Sequence, residues 1–180
     1  MKSGREKDLA LLFKALAFAA HKHRDQRRKD AQASPYINHP IALAEVLTGE
    51  GGIGDTEVLA AALLHDTIED TATTGAELRS QFGERIAAMV EEVTDDQNLP
   101  KPERKRLQIE HAAELSRGAK LVKLADKICN VRDVAYHPPS KWDLARRREY
   151  FDWAKAVVDR MRGTHPVLER KFDEAYALKP

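Results

Sequence analysis

The stretch Ala62-Leu63-Leu64-His65-Asp66-Thr67-Ile68-Glu69-Asp70 sets an adjacent His-Asp pair one helical turn ahead of an adjacent Glu-Asp pair. In a helix, residues four apart stack along one surface, which aligns His65 with Glu69 and Asp66 with Asp70. Three carboxylates crowded beside an imidazole repel one another unless a cation or solvent lies between them. The chemistry this pattern predicts is a metal site with acid-base groups beside it. Two more candidates come from elsewhere in the chain. His39 stands in front of Pro40, and Asp126 sits in an apolar helical stretch where an unpaired carboxylate would be costly to bury. The set His39, His65, Asp66 and Asp126 mixes nitrogen and oxygen and lacks thiolate. It suits Mn²⁺, admits Fe²⁺, Co²⁺ or Zn²⁺, and disfavours a calcium cage. Glu69 and Asp70 would then orient or deprotonate an attacking water. Taken singly, His65 reads as a packed core histidine and Glu69-Asp70 as an exposed acidic helix end; the combination argues against that.

Helices must position these residues. Apolar positions Leu9, Leu12, Phe13, Leu16, Ala17 and Ala20 predict one amphipathic helix from residue 5 to about 27. Its basic end, Lys22, Arg24, Arg27, Arg28 and Lys29, reads either as a solvated helix terminus or as an anion-binding rim. Residues 30–38 read as a loop, and His39-Pro40 opens a second helix. After a glycine-rich break, Asp55 caps a third helix whose near-continuous Ala/Leu face marks it as central and buried. Thr74 begins a short helix ending near Gly83, residues 84–93 form another, and a helix from 103 to about 116 follows a polar, proline-containing loop. Gly118 separates that helix from a buried one over 119–136, which carries Asp126. Ser140 starts a long helix ended by Gly163, and His165-Pro166 opens the last. No segment reads as a convincing strand. The expected fold class is all-α, about eight to ten helices in a single domain.

The 180 residues suit one domain with a substantial core. Thirty Lys and Arg against 29 Asp and Glu leave a formal net charge of +1, so nothing global points to nucleic acid. No apolar run approaches membrane-spanning length and the N-terminus has no signal-peptide pattern, which makes the cytoplasm the expected location. Cys129, the sole cysteine, has no internal disulfide partner. Aromatic residues of the last two helices either pack internally, the preferred reading, or form a homodimer surface.

The His39…His65-Asp66…Asp126 pattern resembles the signature of the HD-domain metal phosphohydrolases. The wording around it is more specific: His23-Arg24-Asp25-Gln26-Arg27-Arg28-Lys29, Pro35-Tyr36-Ile37-Asn38-His39-Pro40, Val90-Glu91-Glu92-Val93-Thr94-Asp95-Asp96 and Leu121-Val122-Lys123-Leu124-Ala125-Asp126-Lys127. With the central stretch, these resemble the hydrolase domain of RelA/SpoT-type proteins, above all its stand-alone small form, the metazoan SpoT homologues. The likeness runs from about residue 9 to beyond 160 and implies a single HD-type domain over 1–180, with no synthetase or regulatory domain besides. It implies hydrolysis of the 3′-pyrophosphate of (p)ppGpp to GDP or GTP and pyrophosphate, with one Mn²⁺ per chain. By position, His39, His65, Asp66 and Asp126 would hold the metal and Glu69 and Asp70 would activate water. Arg24 would lie against the guanine, Lys29 would meet phosphate, and Asn130 would bond near the ribose and phosphates. Cys129 departs from the larger side chain the family often has there. Two other functions compete: an HD phosphohydrolase acting on another phosphorylated nucleotide such as NADPH, and an inactive alarmone-binding protein. A highly anionic substrate would need cations along its approach, which residues 22–29 and 101–106 with Lys120, Lys123 and Lys127 can supply.

Overall fold

Residues 3–180 are described by a computed structural model of the chain. Ten α-helices form it: α1 Gly4–Lys22, α2 Asn38–Glu45, α3 Thr56–Leu64, α4 Thr67–Asp70, α5 Gly75–Phe82, α6 Glu84–Val93, α7 Lys101–His111, α8 Arg117–Tyr136, α9 Leu144–Asp159 and α10 Pro166–Tyr176. A π-helical turn, Val46–Glu50, extends α2. Among the described residues the only strand-like pairing is an isolated bridge between Arg27 and Pro35, so the all-α expectation holds.

Helix α3 is the hub, packing against α1, α2, α6 and α8. Seven of its nine residues, Val58 through Leu64, are buried. Each fully buried leucine contributes about 1.5–3 kcal/mol of transfer free energy, so this apolar run fixes where the chain following it must emerge. Asp55 caps the helix by accepting from the amides of Glu57 and Val58. Ser116 caps α8 in the same manner through the Ala119 amide. The core is completed by Leu43, Leu47, Ile86, Leu124, Ile128, Phe151, Leu168 and Phe172, all fully buried. The last two helices turn Phe151, Val157, Leu168 and Phe172 inward, which matches the internal packing preferred for them.

Several boundaries differ from the sequence expectation for local reasons. Helix α1 stops at Lys22 rather than near residue 27. Beyond it the chain folds back on itself, with the Arg28 amide on the Ser34 carbonyl and the Tyr36 amide on the Gln26 carbonyl. Gly118 is not a separator but lies in the first turn of α8. A Cβ there would come 2.3 Å from Met89 Sδ, so the glycine lets α6 and α8 approach. The cap of α9 is Asp143, which accepts from the Arg146 amide, rather than Ser140. Helix α7 begins at Lys101 and ends at His111, earlier at both ends than expected.

Candidate metal centre and the cleft above it

The apolar helix does not run unbroken through the central motif. It ends at Leu64, and His65 and Asp66 form a turn before α4 resumes at Thr67. Side chains take over the carbonyls that continuing helix would need: His65 Nδ1 lies 2.8 Å from the Ala62 carbonyl, and the Thr67 hydroxyl donates to the Leu64 carbonyl at 2.7 Å. The bond to Ala62 leaves Nδ1 protonated and turns the free electron pair of Nε2 toward the interior. Helix α2 presents His39 from its first turn, and the middle of α8 presents Asp126.

Ligand atoms from His39, His65 and Asp126 all lie within 4.8 Å of one another. His39 Nε2 is 3.2 Å and His65 Nε2 3.9 Å from Asp126 Oδ1. Asp66 joins through Oδ2, 2.8 Å from His65 Nε2. That approach lies off the line of a hydrogen bond, and His65 Nε2 remains buried without a bonding partner. Two imidazoles and the Asp126 carboxylate thus form one buried cluster with Asp66 at its edge against His65, a donor set a divalent cation would suit. The protonation tendencies carry the same strain. Burial drives His39 down, with the Asp126 bond opposing. Burial alone would also depress His65, but the charges of Asp66 and Asp126 outweigh it and push the imidazole up to about 9. Burial would raise Asp126, yet Lys127 and the two histidines hold it well below the usual carboxylate range.

Of the acidic pair that follows, Glu69 is half-buried and lines the same cavity, where its Oε2 accepts from the Asp95 amide at 3.2 Å. Burial, then the charge of Asp66, pushes its carboxyl up to about 7. Asp70 is more exposed, and its Oδ2 accepts from Gln26 Nε2 at 2.7 Å.

The residues expected to contact substrate are distributed unevenly. Asn130 lines the cavity and donates to Asp126 Oδ1 at 2.5 Å. Arg24 and Lys29 are exposed; Arg24 pairs with Asp25 and donates to the His21 carbonyl. The arginine of this segment that does reach the cavity is Arg28, salt-bridged to Asp133 and 3.4 Å from Asn130 Oδ1. Sequence reading also missed Tyr36, whose hydroxyl donates to Asp66 Oδ2. The available signal was its position three residues ahead of His39 in a proline-flanked segment.

The metal-side cavity holds about 200 Å³ and shares Gln108, Tyr150 and Trp153 with a second cavity of about 800 Å³. Cations stand along both. Lys127 is buried, 3.1 Å from Asp126 Oδ2 and 4.3 Å from the centre of the Trp153 ring. Lys123, also buried, donates to the Val93 carbonyl at 2.9 Å. Lys101, Arg104, Lys105 and Arg146 line the larger space, where Arg146 lies 4.7 Å over Trp142. Burial and then the charges of Arg146, Lys105 and Lys29 lower the pKa of Lys101; Asp95, Asp143 and Glu149 line the same space. Tyr150 stands between the two indoles, its ring 5.4 Å from Trp142 and 5.3 Å from Trp153. Aromatic faces among fixed cations can receive a purine and its phosphates together.

Comparison with known proteins gives a family, two curated relatives and a solved structure. A family model described as HD domain matches residues 15–150. A Xenopus tropicalis protein named guanosine-3′,5′-bis(diphosphate) 3′-pyrophosphohydrolase MESH1 is 56% identical over 169 residues, covering 94% of both chains. The human protein of the same name is also 56% identical over 169 residues, with 94% of each chain covered. A solved structure described as a metazoan ortholog of SpoT that hydrolyzes ppGpp superposes with a TM-score of 0.91 at 50% identity, over 93% of this chain and 94% of that one. Among the described residues, no helix is long and apolar enough to cross a membrane.

Proposed function

The chain belongs to the HD-domain family, and from that premise we propose that it is a metal-dependent hydrolase removing the 3′-pyrophosphate of ppGpp and pppGpp, releasing GDP or GTP and pyrophosphate. The observation carrying this reading is the junction of two cavities. A buried His39-His65-Asp126 cluster lines one cavity, which shares Gln108, Tyr150 and Trp153 with a larger one lined by aromatic rings, four cations and three carboxylates. The names of the relatives at 56% identity give the substrate.

In this reading residues 1–180 act as a single HD-type domain, and His39, His65, Asp66 and Asp126 hold one Mn²⁺. The bound ion would supply Lewis acidity toward a phosphate oxygen and toward the attacking water. The chain's own groups do the rest. Asn130 and Arg28 bond the ribose and phosphate side of the substrate, while Lys123 and Lys127 offset charge on the departing pyrophosphate. Trp142, Tyr150 and Trp153 with Arg146 receive the guanosine end, and Arg24 and Lys29 contribute long-range attraction from the surface. Glu69 lines the metal-side cavity with its carboxylate and is placed to exchange a proton with water there. With Asp70 it takes a proton from water as the water oxygen bonds to the 3′-phosphorus. The bond from phosphorus to the ribose 3′-oxygen breaks, and that oxygen takes up a proton.

Pyrophosphate release from ppGpp should require added divalent metal, peak with Mn²⁺ and stop with chelator. Comparing kcat/KM for ppGpp and NADPH side by side tests the substrate. Mn²⁺-loaded protein that retains ppGpp for hours without releasing pyrophosphate would establish binding in place of hydrolysis.

A further inference from the structure

The segment between α1 and α2 reaches the acidic pair from behind, through a glutamine. Gln26 Nε2 donates to Asp70 Oδ2 at 2.7 Å, and Gln26 Oε1 lies 2.6 Å from His23 Nδ1. A carboxylate only accepts, so the amide nitrogen must face Asp70 and the amide oxygen must face His23, whose Nδ1 then carries the proton. A flipped amide would set its oxygen against the Asp70 carboxylate and lose that bond.

His23 and the backbone of Gln26 are themselves fixed. His23 is 2% exposed, with its ring 4.9 Å from that of Tyr36. The Gln26 amide bonds to the His23 carbonyl and its carbonyl receives the Tyr36 amide, at 2.9 and 3.1 Å. Asp70 has no such support of its own. It ends a four-residue helix, is exposed, and among the described residues accepts a side-chain hydrogen bond from Gln26 alone.

We infer that Gln26, braced by His23, is a positioning residue that holds the Asp70 carboxylate in its working orientation. The inference rests on the reading that Asp70 handles a proton of the attacking water. An exposed aspartate released from its donor samples several rotamers, and only a fraction of them aim at the water. A loss of orientation lowers turnover while leaving ground-state binding of substrate largely intact.

A double-mutant cycle on the full-length, Mn²⁺-loaded protein tests this. Gln26→Ala should lower kcat by roughly 10-fold to 100-fold with KM changed less than about 3-fold. In an Asp70→Asn background, the same Gln26→Ala change should have almost no further effect. Mn²⁺ binding measured by calorimetry should match the wild type in all three variants. Gln26→Glu keeps the volume but turns a carboxylate toward Asp70, so it should lose turnover as Gln26→Ala does and serves if the alanine variant fails to fold. Full additivity with Asp70→Asn, or a loss confined to KM, overturns the assignment. Wild-type turnover in Asp70→Asn alone would instead overturn the role of Asp70.

Discussion

Replacing Glu69 with glutamine removes a charge while keeping the side chain's volume and an acceptor for the Asp95 amide 3.2 Å away. In the folded protein this carboxyl is raised from 4.5 to about 7, by burial first and the charge of Asp66 second. Below pH 4.5 it is protonated in folded and unfolded chains alike and does not affect their difference. Between 4.5 and about 7 the unfolded chain gives up the proton and the folded chain keeps it, so stability falls as pH rises, and the fall is complete above about 7. At about 1.4 kcal/mol per pH unit that interval amounts to roughly 3 kcal/mol. Solvent screening at this half-buried position reduces it to about 2 kcal/mol. In urea denaturation with chelator present, Glu69→Gln should therefore match the wild type at pH 4.5 and exceed it by about 2 kcal/mol at pH 8. Saturating Mn²⁺ should narrow the gap, because a cation beside Asp66 removes the repulsion that raises Glu69. A variant no more stable than the wild type at pH 8, or one equally stabilised at both pH values, refutes the reasoning.

Three further perturbations address other parts of the site and its frame. Tyr36→Phe deletes the hydroxyl that donates to Asp66 and should weaken Mn²⁺ binding by about 10-fold in calorimetry, as loss of a group orienting a ligand does; unchanged affinity would separate Asp66 from the metal. Arg146→Ala removes a cation 4.7 Å from the Trp142 ring and should raise KM for ppGpp about 10-fold with kcat within about 2-fold, the difference shrinking as salt is added. Gly118→Ala puts a Cβ 2.3 Å from Met89 Sδ and should lower the unfolding free energy by about 1–3 kcal/mol, despite alanine's better helix propensity; a stabilised variant would show that Met89 yields easily.

The residues of the candidate site could be picked out because the chemistry proposed for them demands particular residue types, and their spatial arrangement was less legible because distant partners determine it. Helix α3 could be read from its apolar run alone, since burying Val58 through Leu64 leaves no other place for that segment. The turn at His65 and Asp66 could not, because a 3.6-residue period is blind to a histidine and a threonine competing for the carbonyls of Ala62 and Leu64. The same holds more strongly for residues 23–29. Their composition is compatible with helix, so local propensity extended α1 through them. What ends the helix lies elsewhere: Gln26 reaches Asp70 across 44 positions, and Arg28 reaches Asp133 across 105. Tertiary contact thus overrides propensity, and it also decides which cations do what. Reading the segment as one basic cluster treats Arg24, Arg28 and Lys29 as equivalent. The fold separates them, sending Arg28 into the metal-side cavity and leaving Arg24 and Lys29 exposed. His39 and Asp126 could be picked out for a related reason: 87 residues apart, they meet at 3.2 Å, yet each was conspicuous alone. A histidine pinned by proline and a carboxylate on an apolar helix both call for a partner. Gln26 makes no such call, being a neutral side chain at home on any surface, and its place beside Asp70 emerges only when the chain folds back between Arg27 and Pro35.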